Sequence, residues 1–107
     1  MTENELLLAI GKICDELFLR WFHVRDSRHA IGTPGFPDLV IAGPYEKVLF
    51  AECKKDPWTK PSPDQTLWRY TLQACGGDWR LWTPYDYSAG IIHYTLERMA
   101  GKDRIPA

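Results

Sequence analysis

Residues 35–55 read GFPDLVIAGPYEKVLFAECKK, two apolar runs joined by GPYEK, a segment with turn chemistry. The pattern predicts a hairpin of strands over 37–42 and 48–54. Three charged residues interrupt it: Asp38 begins the first run, and Glu52 and Lys54 close the second. Side chains alternate along a strand, so Val48, Phe50, Glu52 and Lys54 share one face while Leu49, Ala51 and Cys53 share the other. Hairpin pairing then brings Asp38 toward Glu52. Two carboxylates about 4 Å apart repel by roughly 4 kcal/mol at an effective dielectric near 20, a large fraction of a small domain's stability. A divalent cation held between them reverses the sign of that term. Hard oxygen ligands with room for water and phosphate oxygens are what Mg²⁺ prefers.

Outward from the hairpin, apolar residues at Leu6, Ile10, Ile13 and Leu17 give helical spacing over 3–20. A short strand is expected over 21–25, followed by the polar connection DSRHAIGTP. After the hairpin, KKDPWTKPSP carries three prolines and reads as an exposed loop. Ser62 suits an N-cap and Pro63 the first position of a helix that runs to about Cys75, where Gly76 and Gly77 end it. A fourth strand is expected over 79–83, then a last helix capped by Asp86 and carrying Ile91, Ile92, Leu96 and Met99. The order is α-β-β-β-α-β-α, an α/β chain with a mixed sheet of about four strands flanked by helices. At 107 residues it forms one domain, 1–107.

Pro37-Asp38, thirteen intervening residues and Glu52-Cys53-Lys54 together resemble the PD-(D/E)XK motif of the restriction-endonuclease-like nucleases. The stretch GFPDLVIAG, the apolar run before ECK, the polar loop, Asp64-Gln65 opening the next helix, and the following Gly break and strand resemble the VRR-NUC branch, found in phage and repair nucleases. Cys53 stands where that branch often has an aliphatic residue, and it is a small apolar substitute. The resemblance implies that Asp38 and Glu52 ligate Mg²⁺ or Mn²⁺ and that the backbone carbonyl of Cys53 adds an oxygen. Lys54 is then expected to orient or deprotonate the attacking water and to offset charge on the phosphate. Gln65 is either part of the active site or half of a capping box with Ser62.

The same resemblance implies an acid from the first helix beside the metal. Glu3 lies on the inward stripe and is the first choice, with Glu5 or Glu16 as alternatives. The implied activity is metal-dependent hydrolysis of DNA phosphodiester bonds. Cutting both strands, or a branched junction, requires a symmetric dimer, because a single domain has one site. A compact stand-alone domain of this kind suggests a phage source.

Composition narrows the remaining classes. With 45% hydrophobic and 25% charged residues, the chain has the make-up of a globular domain, and no apolar run approaches the length of a membrane helix. The acidic N-terminus is unlike a signal peptide, so a cytoplasmic location is expected. Cys14, Cys53 and Cys75 show no zinc spacing and are expected to be reduced and buried. No organic cofactor is implied. A net charge of −1 excludes binding of nucleic acid by bulk positive charge. Local contacts to DNA phosphates fall instead to Arg25, Arg28, His29, Lys55 and Lys60, with His23 close by in sequence. Trp58 either stacks on bases or covers a core edge, and the other four tryptophans are expected to pack. Two rival classes remain: an inactive nucleic-acid-binding module with the same fold, and thiol chemistry at Cys53.

Overall fold

A computed structural model describes residues 1–24 and 30–103 of the chain. The first helix, α1 (Glu3–Glu16), starts at a capping box in which Thr2 and Glu5 exchange side-chain-to-backbone hydrogen bonds. It ends earlier than its periodicity predicts. Phe18 takes a left-handed φ of 59°, which breaks the helix and turns the chain into the strand β1 (Arg20–Phe22). β2 (Leu39–Ala42) and β3 (Leu49–Cys53) form the expected hairpin, and β4 (Asp78–Trp82) follows the helix α2 (Pro63–Ala74).

The sheet order is β1-β2-β3-β4, antiparallel at the first two junctions and parallel between β3 and β4. β3 is therefore an interior strand, which accounts for its apolar run. In place of a single last helix capped by Asp86 there are two: α3 (Pro84–Ser88), whose N-cap is Thr83, and α4 (Ile91–Met99). Asp86 sits at the third position of α3 and accepts hydrogen bonds from the backbone N–H and hydroxyl of Thr83. Gly90, at φ 80°, makes the break between the two helices, a conformation that costs a glycine little.

One face of the sheet carries the core. Leu39, Ile41, Leu49, Ala51, Cys53 and Trp82 meet Leu6, Ile10 and Cys14 of α1 and Ile92, Leu96 and Met99 of α4, all buried. The predicted alternation on β3 holds: Leu49, Ala51 and Cys53 enter this cluster and Phe50 does not. α2 covers the other face without burying any of its own residues fully. There Phe36 makes edge contacts with Phe50 and Trp68, and the Arg69 guanidinium lies 5.0 Å from the ring centre of Trp79. The half-covered character of α2 also explains one departure from expectation: Cys14 and Cys53 are buried, but Cys75, at the C-cap of α2, is exposed. Trp79 and Trp82 are buried as expected. Trp21 and Trp68 are half-buried, with their indole N–H groups donating to Asp15 and to the Thr33 carbonyl. Among the described residues no helix is long and apolar enough to cross a membrane.

Candidate active site

The β2–β3 register pairs Leu39 with Ala51 and Val40 with Phe50. One further step sets Asp38 opposite Glu52, on the sheet face away from the core. The two side chains are hydrogen-bonded to each other. Asp38 is oriented from the neighbouring strand as well, because its Oδ2 accepts from the backbone N–H of Cys53 at 2.8 Å. Its own carbonyl accepts from His23 Nδ1 at 2.6 Å. A carbonyl can only accept, so Nδ1 carries the proton and the ring tautomer is set.

Glu52 is 3% exposed, and its Oε2 is buried without a hydrogen-bond partner. A buried, unpartnered carboxylate oxygen is costly unless something compensates it. Burial pushes the Glu52 carboxyl up to about 9, helped by the hydrogen bond with Asp38 and the negative charge there, and more weakly by Glu3. Lys54 acts in the opposite direction. Without a cation, Glu52 therefore keeps its proton near neutral pH and donates it to Asp38. A dication would take the place of that proton. The donor set suits a hard ion: two carboxylates from adjacent strands, one with a free oxygen.

Among the described residues no three His, Cys, Asp or Glu side chains converge into a complete metal cage. The arrangement is two acids in contact with a third at longer range. That third acid is Glu3, whose charge is felt at both Glu52 and Cys53 although its side chain is exposed. Glu5 is held in the Thr2 capping box, which keeps its carboxyl below the usual range. Glu16 is the last residue of α1 and is exposed.

Lys54 follows the last residue of β3 and is half-buried, with its backbone N–H donating to the Trp82 carbonyl at 2.9 Å. Gln65 closes a capping box: its Oε1 accepts from the Ser62 backbone N–H at 2.8 Å, and its own N–H donates to the Ser62 hydroxyl. Of the two roles open to it in the sequence, the capping role is thus formed. The first turn of α2 reaches the site's edge at Gly35. That residue has φ +97°, and a Cβ there would lie 2.5 Å from the backbone of Asp64. Glycine is required on both counts.

Lys55 and Lys60 are exposed in the loop after β3. Arg25, Arg28 and His29 lie outside the described residues. The Cys53 thiol is buried in the core, and burial together with the charges of Asp38, Glu52 and Glu3 pushes it above its usual value. Such a thiol is not a nucleophile. Sequence reasoning did not single out the His23–Asp38 contact, whose partners are fifteen residues apart. The only sequence signal for it was a histidine at the end of a short strand ahead of the PD dipeptide.

No family model matches the chain, and no curated protein sequence matches it. Solved structures do. One described as "VRR_NUC domain" is 22% identical, with a TM-score of 0.65, over 88% of this chain and 99% of that one. Another, described as "VRR_NUC domain protein", is 19% identical with the same TM-score of 0.65 and covers 92% of this chain and 90% of its own. Over most of its length the chain therefore carries the fold of a VRR-NUC nuclease domain.

Proposed function

We propose that the chain is a Mg²⁺- or Mn²⁺-dependent endonuclease that hydrolyses DNA phosphodiester bonds. The observation that carries this reading is the buried Glu52 carboxyl, hydrogen-bonded to Asp38 and left with an unpartnered Oε2. Asp38, Glu52 and the Cys53 carbonyl would hold the ion, with Glu3 adding negative charge from α1. When bound, such an ion polarises the phosphoryl group and lowers the pKa of a coordinated water.

The chain's own residues do the rest. The Cys53 N–H and His23 fix Asp38 from two sides, so the carboxylate is pre-oriented before substrate arrives. The Lys54 charge is felt at Glu52; its ammonium would offset the charge of the phosphate, and a lysine amine accepts a proton from water once its own is lost. Gln65 holds the first turn of α2 at the site's edge. Lys55 and Lys60, together with Arg25, Arg28 and His29, would contact phosphates without reading bases. With one site per chain, cleavage of both strands or of a branched junction calls for a homodimer. The buried thiols of Cys14 and Cys53 suit a reducing compartment such as the cytoplasm.

The test is incubation with supercoiled plasmid, linear duplex, single strands and a four-way junction, each with Mg²⁺, Mn²⁺ or chelator. Cleavage that needs the ion and disappears in Glu52→Gln is expected. Binding of DNA that is left whole under every condition would replace the enzyme with an inactive binding module.

A further inference from the structure

We propose that Trp58 and Tyr85 form a stacking platform for an unpaired nucleobase of the strand engaged at the carboxylate site. This rests on the nuclease reading for its orientation but concerns a separate surface. Trp58 is 73% exposed and takes no part in the core, so it does not cover a core edge. Tyr85 is exposed beside it, with ring centres 6.2 Å apart and planes at 60°. In that edge-on arrangement neither ring hides both faces of the other.

The loop that presents Trp58 is built around Asp56. Its Oδ1 accepts from the Trp58 N–H at 3.1 Å, the Thr59 N–H at 2.8 Å and the Thr59 hydroxyl at 2.7 Å. These bonds fix the backbone under an indole that contributes nothing to the core. They also occupy the single acid of residues 54–60, whose other charged residues are Lys54, Lys55 and Lys60.

Position links the platform to the site. β3 and β4 run parallel, and the Lys54 N–H joins them at the Trp82 carbonyl. Trp58 follows Lys54 by four residues and Tyr85 follows Trp82 by three. Both rings thus leave the sheet at the carboxyl ends of β3 and β4, the end that carries Glu52. Aromatic faces flanked by lysines match the chemistry of single-stranded nucleic acid, in which bases stack and phosphates pair with cations. A base inside a duplex has both faces taken by its neighbours, so the occupant is an unpaired base.

The test uses the Glu52→Gln chain with a fluorescent oligo-dT and, separately, a duplex of equal length, read by anisotropy. Trp58→Ala is expected to weaken single-strand binding by about tenfold, Trp58→Phe to keep most of the affinity, and duplex binding to change by less than about twofold. Unchanged thermal melting shows that Trp58→Ala still folds. Equal single-strand affinity for Trp58→Ala and the parent would overturn the platform, as would equal losses on both DNAs. So would a drop in sedimentation coefficient on losing Trp58, since the ring would then be a contact between copies. Trp58-dependent single-strand binding, found together with an unsubstituted chain that cleaves no DNA with Mg²⁺ or Mn²⁺, would support the platform and remove the nuclease reading instead.

Discussion

The two faces of the sheet differ in almost every physical respect. Toward α1 and α4, side chains from β2, β3 and β4 interlock in a cluster that is apolar throughout and buried. Toward α2, the same strands present Phe50, Glu52 and Trp79, the helix buries none of its residues fully, and among the described residues two buried side-chain polar atoms lack a partner: Glu52 Oε2 and Trp79 Nε1. One face is arranged for stability. The other accepts unmet polar groups and an acid pair, a combination that makes sense where a ligand completes it. β3 belongs to both, and its alternation separates them residue by residue: Ala51 and Cys53 on one side, Glu52 on the other.

If that division is right, substitutions on the two faces should fail in different ways. Asp38→Asn or Glu52→Gln should lower metal-dependent cleavage by about a thousandfold while the metal-free chain melts no lower than the parent, because a buried proton-sharing pair has been replaced by a neutral one. Steady cleavage by either variant would erase the contrast. On the opposite face, Leu49→Ala should cost about 2–5 kcal/mol in denaturant unfolding. Trp68→Ala, on the half-covered side, should cost only about 1 kcal/mol. Equal losses would mean that both faces carry the core.

The acid pair also sets a pH dependence. Burial keeps Glu52 protonated in the fold above the pH at which it ionises in the unfolded chain, from its ordinary 4.5 up to about 9. Across that window the unfolded state binds fewer protons than the folded one. The contribution of Glu52 to the stability of the metal-free chain should therefore be full below pH 4.5 and fall as pH rises toward 9. Melting of Glu52→Gln should lack this fall, and identical profiles for the two chains would contradict the shared proton. The smallest expected effect is at His23. His23→Ala should slow cleavage by about tenfold, and His23→Asn, which keeps an N–H near the position of Nδ1, should restore most of it. No change in His23→Ala would separate that ring from the site.

The face that stabilises the chain was more legible in the sequence than the one that carries the acid pair. Period-two alternation fixed which residues of β3 enter the core, and Ser62-Pro63 marked the start of α2. Asp38 and Glu52 stood out because charges at the margins of apolar strands are physically expensive. Three features escaped for a common reason, that they depend on backbone geometry or distant contacts. The end of α1 is set by the left-handed Phe18, and the split of the last helix by Gly90, neither of which changes the apolar spacing. His23 meets Asp38 only once β1 is laid beside β2. Separately, the sequence left stacking and core cover both open for Trp58, and its exposure decides against cover.

The central claim is that a dication replaces the proton shared by Asp38 and Glu52. Calorimetric titration of Mn²⁺ into the chain, repeated in buffers of different ionisation enthalpy near neutral pH, measures that exchange directly. Release of about one proton per ion bound is predicted, with both heat and proton release lost in Glu52→Gln. Ion binding without proton release, or binding undiminished by Glu52→Gln, would contradict it.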